Sequence, residues 1–158
     1  MPHLIEVARR RIVFADCNAR GVMHYHAYFR LFEIGRAELF RKLGHAFPEY
    51  IERGVFLAVF ETQCRYHRPV VYDDDVAIRA GAGEIGRVWV RIVYEIANAA
   101  GELLASGFTS LAAVDGDGKI QRVPIEVRDA LHRDLSPWSP LLQGEGKLMP
   151  PFPPRERG

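Results

Sequence analysis

The sequence predicts an α+β domain in which an antiparallel sheet is built against one long helix. Three observations carry this. Residues 25 to 43 repeat apolar side chains at the helical period, four later segments alternate at the period of a strand, and Asp115-Gly116-Asp117-Gly118 is a turn signal of the kind that joins antiparallel neighbours.

Residues 5 to 16 are rich in β-branched and aromatic side chains around Arg9-Arg10-Arg11, which predicts a first strand with one end exposed. Asn18-Ala19-Arg20-Gly21 breaks it. From about Tyr25 to Leu43, steps of 100° place Tyr25, Phe29, Phe32, Phe40 and Leu43 on one stripe, with Gly44 as the stop. Arg30, Glu38, Arg41 and Lys42 take the opposite face. Arg36 falls near the middle of the apolar stripe with Glu33 on its flank, and a charge there needs a partner. Either Glu33 pairs with it at i, i+3, or Arg36 reaches the polar cluster that precedes the helix.

Phe47 to Arg53 reads as a short helix, and Val55 to Arg68, Asp75 to Gly83, Arg87 to Ala97 and Leu103 to Val114 read as strands. In the third of these, Val88, Val90, Ile92, Tyr94 and Ile96 alternate with Trp89, Arg91, Val93 and Glu95, so both faces are largely apolar. Asn98 to Gly101 is a second hairpin signal, and the predicted order is one strand, one long helix, then a meander. Pro124 to Arg133 fits a short helix with Pro124 in its first turn. From Ser136 onward lie six of the ten prolines, so residues 1–133 are expected to form one domain and residues 134–158 an extended or disordered tail.

The chain has 158 residues, 48% of them apolar, enough for one sizeable core. Its net charge of +1 provides no whole-molecule field for nucleic acid or an anionic membrane, and neither partner is expected. The beginning lacks an apolar signal-peptide core and no run long enough to span a membrane occurs, which predicts a soluble, cytoplasmic protein. Cys17 and Cys64 have no metal-ligand spacing and are expected as free thiols in strands; H-E-x-x-H is absent, so no metal is implied.

The segment FADCNARGVMHYHAYF, residues 14 to 29, sets Asp16, Asn18, His24, Tyr25 and His26 between two apolar elements. With the following RLFE it resembles the signature of acyl-CoA thioesterases of the 4-hydroxybenzoyl-CoA thioesterase type: an aromatic residue, an acid two places on, then Thr or Cys, Asp and a turning glycine before a helix. The segment IERGVFLAVFETQCRYHRPVVYDDDVAI is similar to the second and third strands of that family, and the resemblance covers about residues 9 to 131. It implies a hotdog fold, a sheet wrapped around a central helix, acting on a thioester of coenzyme A or a carrier protein. It also implies a homodimer or homotetramer with its pocket at a subunit interface, and no cofactor beyond the coenzyme A of the substrate.

Thioester hydrolysis needs a group that attacks or activates water and a donor for the oxyanion. By the resemblance, the donor is the backbone N–H of Tyr25 at the helix start. The family's catalytic carboxylate falls on Asn18, since the triplet is Asp16-Cys17-Asn18. An amide takes up no proton at neutral pH, but it can hold water or a carbonyl. Asp16 could supply the base, or cap the glycine turn or the helix start. His24 has a suitable ordinary pKa, or packs on the ligand. His26 reads as surface, and strand alternation turns Cys17 away from the other two. Thioesterases of enediyne polyketide pathways, which resemble this family, carry an Asn in this place together with an Arg on the central helix, and that Arg falls on Arg36. Arg87, after Glu84-Ile85-Gly86, stands where the family often has a basic cluster that would meet the phosphates of coenzyme A, and Arg128 near the end is a second candidate; each is otherwise a solvated surface side chain. The competing functions are a thioester-binding protein silenced by Asn18, and a hydratase or dehydratase using Glu33.

Overall fold

The computed structural model describes residues 2–134, so the predicted tail beyond Asp134 lies outside the described residues. Five strands, β1 (Ile5–Arg11), β2 (Phe56–Tyr66), β3 (Asp75–Ile85), β4 (Trp89–Ala97) and β5 (Leu103–Val114), form one antiparallel sheet. Helices α1 (Ala27–Lys42) and α2 (Phe47–Glu52) lie between β1 and β2, and α3 (Ile125–Asp134) follows β5.

The sheet order is β1-β3-β4-β5-β2, which corrects the predicted meander. Strands β3, β4 and β5 are sequential neighbours, but β2 pairs with β5 at the far edge, from Phe56 opposite Val114 to Tyr66 opposite Ala105. The cause is α1, which occupies one face of the sheet, so the chain returns on the edge opposite β1 and crosses back before β3. The crossing segment is held at both ends. His67 and Arg68 donate to the Leu104 carbonyl, while Met23 N–H meets Val70 O at 2.8 Å and Tyr72 N–H meets Gly21 O at 2.7 Å.

The first strand is also shorter than predicted. It ends at Arg11, and Phe14–Asp16 form a 3-10 turn. Ile12 still bonds to Asp74 and Asp73, but β3 begins at Asp75, so no partner strand remains beyond it. Asp16 and Asn18 therefore do not share the face of a continuing strand.

Helix α1 buries Ala27, Tyr28, Leu31, Phe32, Gly35, Leu39 and Phe40, a stripe rotated from the predicted one. Tyr25 is 72% exposed and precedes the helix, because His24 to Ala27 close a turn first, with Ala27 N–H to His24 O at 3.0 Å. Leu43 caps the other end and Gly44 follows it, as predicted. Phe32, fully buried, stacks on Tyr94 of β4 with ring centroids 4.6 Å apart. Gly107 on β5 makes room for it, since a Cβ there would lie 2.7 Å from the Phe32 ring and 2.1 Å from the Gln63 carbonyl. Phe32→Ala is expected to destabilise the protein by about 3–5 kcal/mol, read as a lower urea midpoint, because it opens a cavity between helix and sheet at a fully buried ring.

Candidate active site

The motif loop is closed by its own backbone. Asn18 N–H meets Val22 O and Gly21 N–H meets Asn18 O, each at 2.9 Å, and Gly21 adopts a φ of +77° that other residues reach only with strain. The side chain of Asn18 completes it, with Oδ1 accepting from Arg20 N–H at 2.9 Å and Val22 N–H at 3.1 Å. This is the turn-capping role weighed for Asp16, performed by Asn18. Asp16 instead pairs with Arg30 in the first turns of α1, Oδ1 to a guanidinium nitrogen at 2.8 Å, its carboxyl 17% exposed. It caps neither turn nor helix by its side chain; its carbonyl accepts His24 N–H at 2.9 Å.

The start of α1 presents unused donors. Among the described residues, no protein acceptor takes the backbone N–H of Tyr25, which lies inside the His24 to Ala27 turn where the positive end of the helix dipole falls. The turn is anchored from β2 by Tyr66, whose hydroxyl donates to the Tyr25 carbonyl at 2.8 Å and whose ring meets buried Tyr28 edge-on at 4.8 Å. Burial first, then neighbouring Cys64, pushes the Tyr66 phenol up to about 12. Burial likewise pushes the Cys64 thiol up to about 11. His24 and His26 stack at 5.2 Å beside the turn, with His26 exposed. Cys17 is buried, its thiol donating toward Val13 O and raised by burial, an environment unsuited to a nucleophile. It sits in a single bridge to Met23 rather than in a strand, whereas Cys64 lies in β2; both are free.

The remaining predicted residues lie apart from this cluster. Asp16, Asn18, His24 and Tyr25 gather where β2 ends and β3 begins, beside Tyr66 and Val71. Arg36 is about 14 Å along the axis from Ala27 at a rise of about 1.5 Å per residue. It lines a cavity of about 220 Å³ with Glu33, Phe40, Phe47, Leu57 and Val127, beyond the start of β2. One guanidinium nitrogen approaches the Tyr94 and Thr109 hydroxyls at 3.4 and 3.3 Å, and no ion pair to Glu33 forms among the described residues. Within one chain, then, neither partner weighed for Arg36 is the one it meets. Arg87 is exposed in the β3–β4 hairpin, and its carbonyl accepts Val123 N–H, on the approach to α3, which carries half-buried Arg128. Arg30, Tyr66 and Thr109 escaped the sequence reading, since Arg30 sat on the predicted solvent face and the other two lay inside ordinary strand patterns.

A sheet curled around one helix, with the motif loop at that helix's beginning, is the hotdog arrangement. The family described as Thioesterase-like superfamily matches residues 12–142, and the chain belongs to it. An Aquifex aeolicus protein provisionally assigned as an esterase is 26% identical over 125 residues, 79% of this chain and 96% of its own. YneP of Bacillus subtilis, provisionally assigned as an acyl-CoA thioesterase, is 26% identical over 117 residues, 74% of this chain and 83% of its own. The DHNA-CoA thioesterase from Staphylococcus aureus shares the fold, with a TM-score of 0.75 at 22% identity, 82% of this chain and 87% of that one aligned. No helix among the described residues is long and apolar enough to cross a membrane.

The raised Cys64 thiol sets a pH dependence. Between its ordinary 9.0 and about 11, an unfolded chain releases the proton while the folded one keeps it. Stability is thus complete below pH 9 and falls as pH rises through that interval. Denaturant midpoints measured from pH 8 to 11 are expected to decline, and Cys64→Ala to decline less steeply.

Proposed function

We propose that this protein hydrolyses acyl thioesters of coenzyme A, or of a carrier protein, to a free acid and a thiol. The observation that carries the reading is the unclaimed Tyr25 N–H at the beginning of α1, next to the loop that Asn18 closes. The thioester carbonyl lies against that N–H, where the oxyanion of the tetrahedral intermediate is stabilised; one such donor is worth roughly 3 kcal/mol. Water attacks the carbonyl carbon, the carbon–sulfur bond breaks, and the thiolate leaves with a proton. Asn18 orients the water, and Asp16 or His24 takes its proton. Asp16, held by Arg30, brings its charge to the helix start, and the paired imidazoles stand on the open side of the turn.

The separation of the two residue groups supports a site shared between copies. Strand β2 is an open edge of 11 residues, exposing Phe56, Val59, Phe60 and Tyr66. Antiparallel pairing of two such edges about a twofold axis sets the Phe56 end of one copy beside the Tyr66 end of the other. The Arg36 cavity, Arg87 and Arg128 of one copy then neighbour the Tyr25 turn of its mate, and the two arginines meet the phosphates of the nucleotide. Release of thiol from a panel of coenzyme A thioesters tests the activity; binding without release from any would assign a silent thioester-binding protein instead.

Two variants test the parts. Asn18→Asp keeps an oxygen for the Arg20 and Val22 amides while adding a base, and is expected to raise kcat at least several-fold; an unchanged or lower rate points to chemistry that needs the amide. Phe60→Asp on the open edge is expected to lower the sedimenting mass and thioester hydrolysis together, whereas a monomer of full activity would rule out the shared site.

A further inference from the structure

A guanidinium carries five N–H donors and remains charged at any working pH. Arg36 meets little that answers it. Its two bonds are long, come from one nitrogen, and go to neutral hydroxyls that already bond each other at 2.6 Å. Its Nε is shut from solvent with no acceptor among the described residues. Arg36 as a whole is half-buried, but a sealed Nε without an acceptor is a polar group held at a cost. The residue lines the 220 Å³ cavity, otherwise walled by side chains such as Phe40, Phe47 and Leu57. A dry cavity of about 150 Å³ suffices for benzene, so this one has room for a substituted ring or a short chain with a polar substituent.

We propose that Arg36 is a specificity residue: the cavity receives the acyl group, and the guanidinium hydrogen-bonds an oxygen that this group carries, whether carboxylate, carbonyl or phenol. This rests on the thioesterase reading and on the shared site, and it assigns Arg36 to acyl recognition rather than to the reacting carbonyl. Tyr94 and Thr109 fix the guanidinium from the sheet side, leaving other donors for the ligand. A carboxylate would take two of them in parallel, and a carbonyl or phenol oxygen one. Glu33 on the same wall brings the cavity to charge balance, so a neutral acceptor is as admissible as an anion.

The test compares coenzyme A thioesters of matched size, hydroxybenzoyl with methylbenzoyl and glutaryl with 5-methylhexanoyl, on the full chain and on Arg36→Met and Arg36→Lys. Arg36→Met is expected to lower kcat/KM for an oxygen-bearing member by about tenfold or more, chiefly through KM, and to change it far less for its apolar counterpart. Arg36→Lys should recover part of the preference, and the two pairs separate a neutral from an anionic acceptor. Equal loss on both members of each pair, or no loss on either, overturns the assignment. Should the unaltered protein hydrolyse none of the four, calorimetric titration with the intact thioesters decides: a preference for the oxygen-bearing members that Arg36→Met abolishes supports the assignment, and no preference overturns it.

Discussion

The packing of α1 against the sheet is the constraint from which the rest of the molecule follows. Phe32 lies flat on Tyr94, and the missing Cβ of Gly107, the residue paired with Tyr94, leaves room for its ring. Because the helix fills that face, β2 must take the far edge, and the chain must cross beneath the helix start to reach β3. That crossing stitches Val70 and Tyr72 to Met23 and Gly21, so one packing decision also braces the motif loop. The Tyr66 hydroxyl finishes the bracing from the edge strand by taking the Tyr25 carbonyl out of circulation.

The local elements were legible wherever one period dominates. The strand Leu103–Val114 has the predicted ends, and α1 differs from prediction only at its first turn and in phase. Legibility failed where a partner across the fold decides. Nothing in residues 12 to 16 announces that β3 starts too late to continue the pairing, and nothing in β2 names β5 as its neighbour. The rotation of the helical stripe has a similar origin. Tyr28, Leu31, Gly35 and Leu39, left out of the predicted stripe, are buried, and they move the centre of the apolar face so that Arg36 falls at its border.

The same contrast divides the candidate site. Residues contiguous in sequence, Asp16 to Tyr25, stay together because a five-residue loop cannot spread them. Arg36, Arg87 and Arg128 are placed by the run of α1, by the β3–β4 hairpin and by α3, which sets them apart from the motif loop: Arg36 reaches Thr109 midway along β5, and Arg87 precedes the start of β4. A sequence motif reports the first group well, since its spacing is its geometry. It says nothing about whether the second group belongs to the same chain's pocket or to a neighbour's, which depends on how open edges meet.

Asn18 holds its loop through a single oxygen, the atom that asparagine and aspartate have in common. The turn is thereby carried by one half of a small side chain: the oxygen that shapes it is indifferent to the exchange, and only the remaining terminal atom differs between acid and amide. A lineage can therefore pass between an acid and an amide at this position while the scaffold stands still.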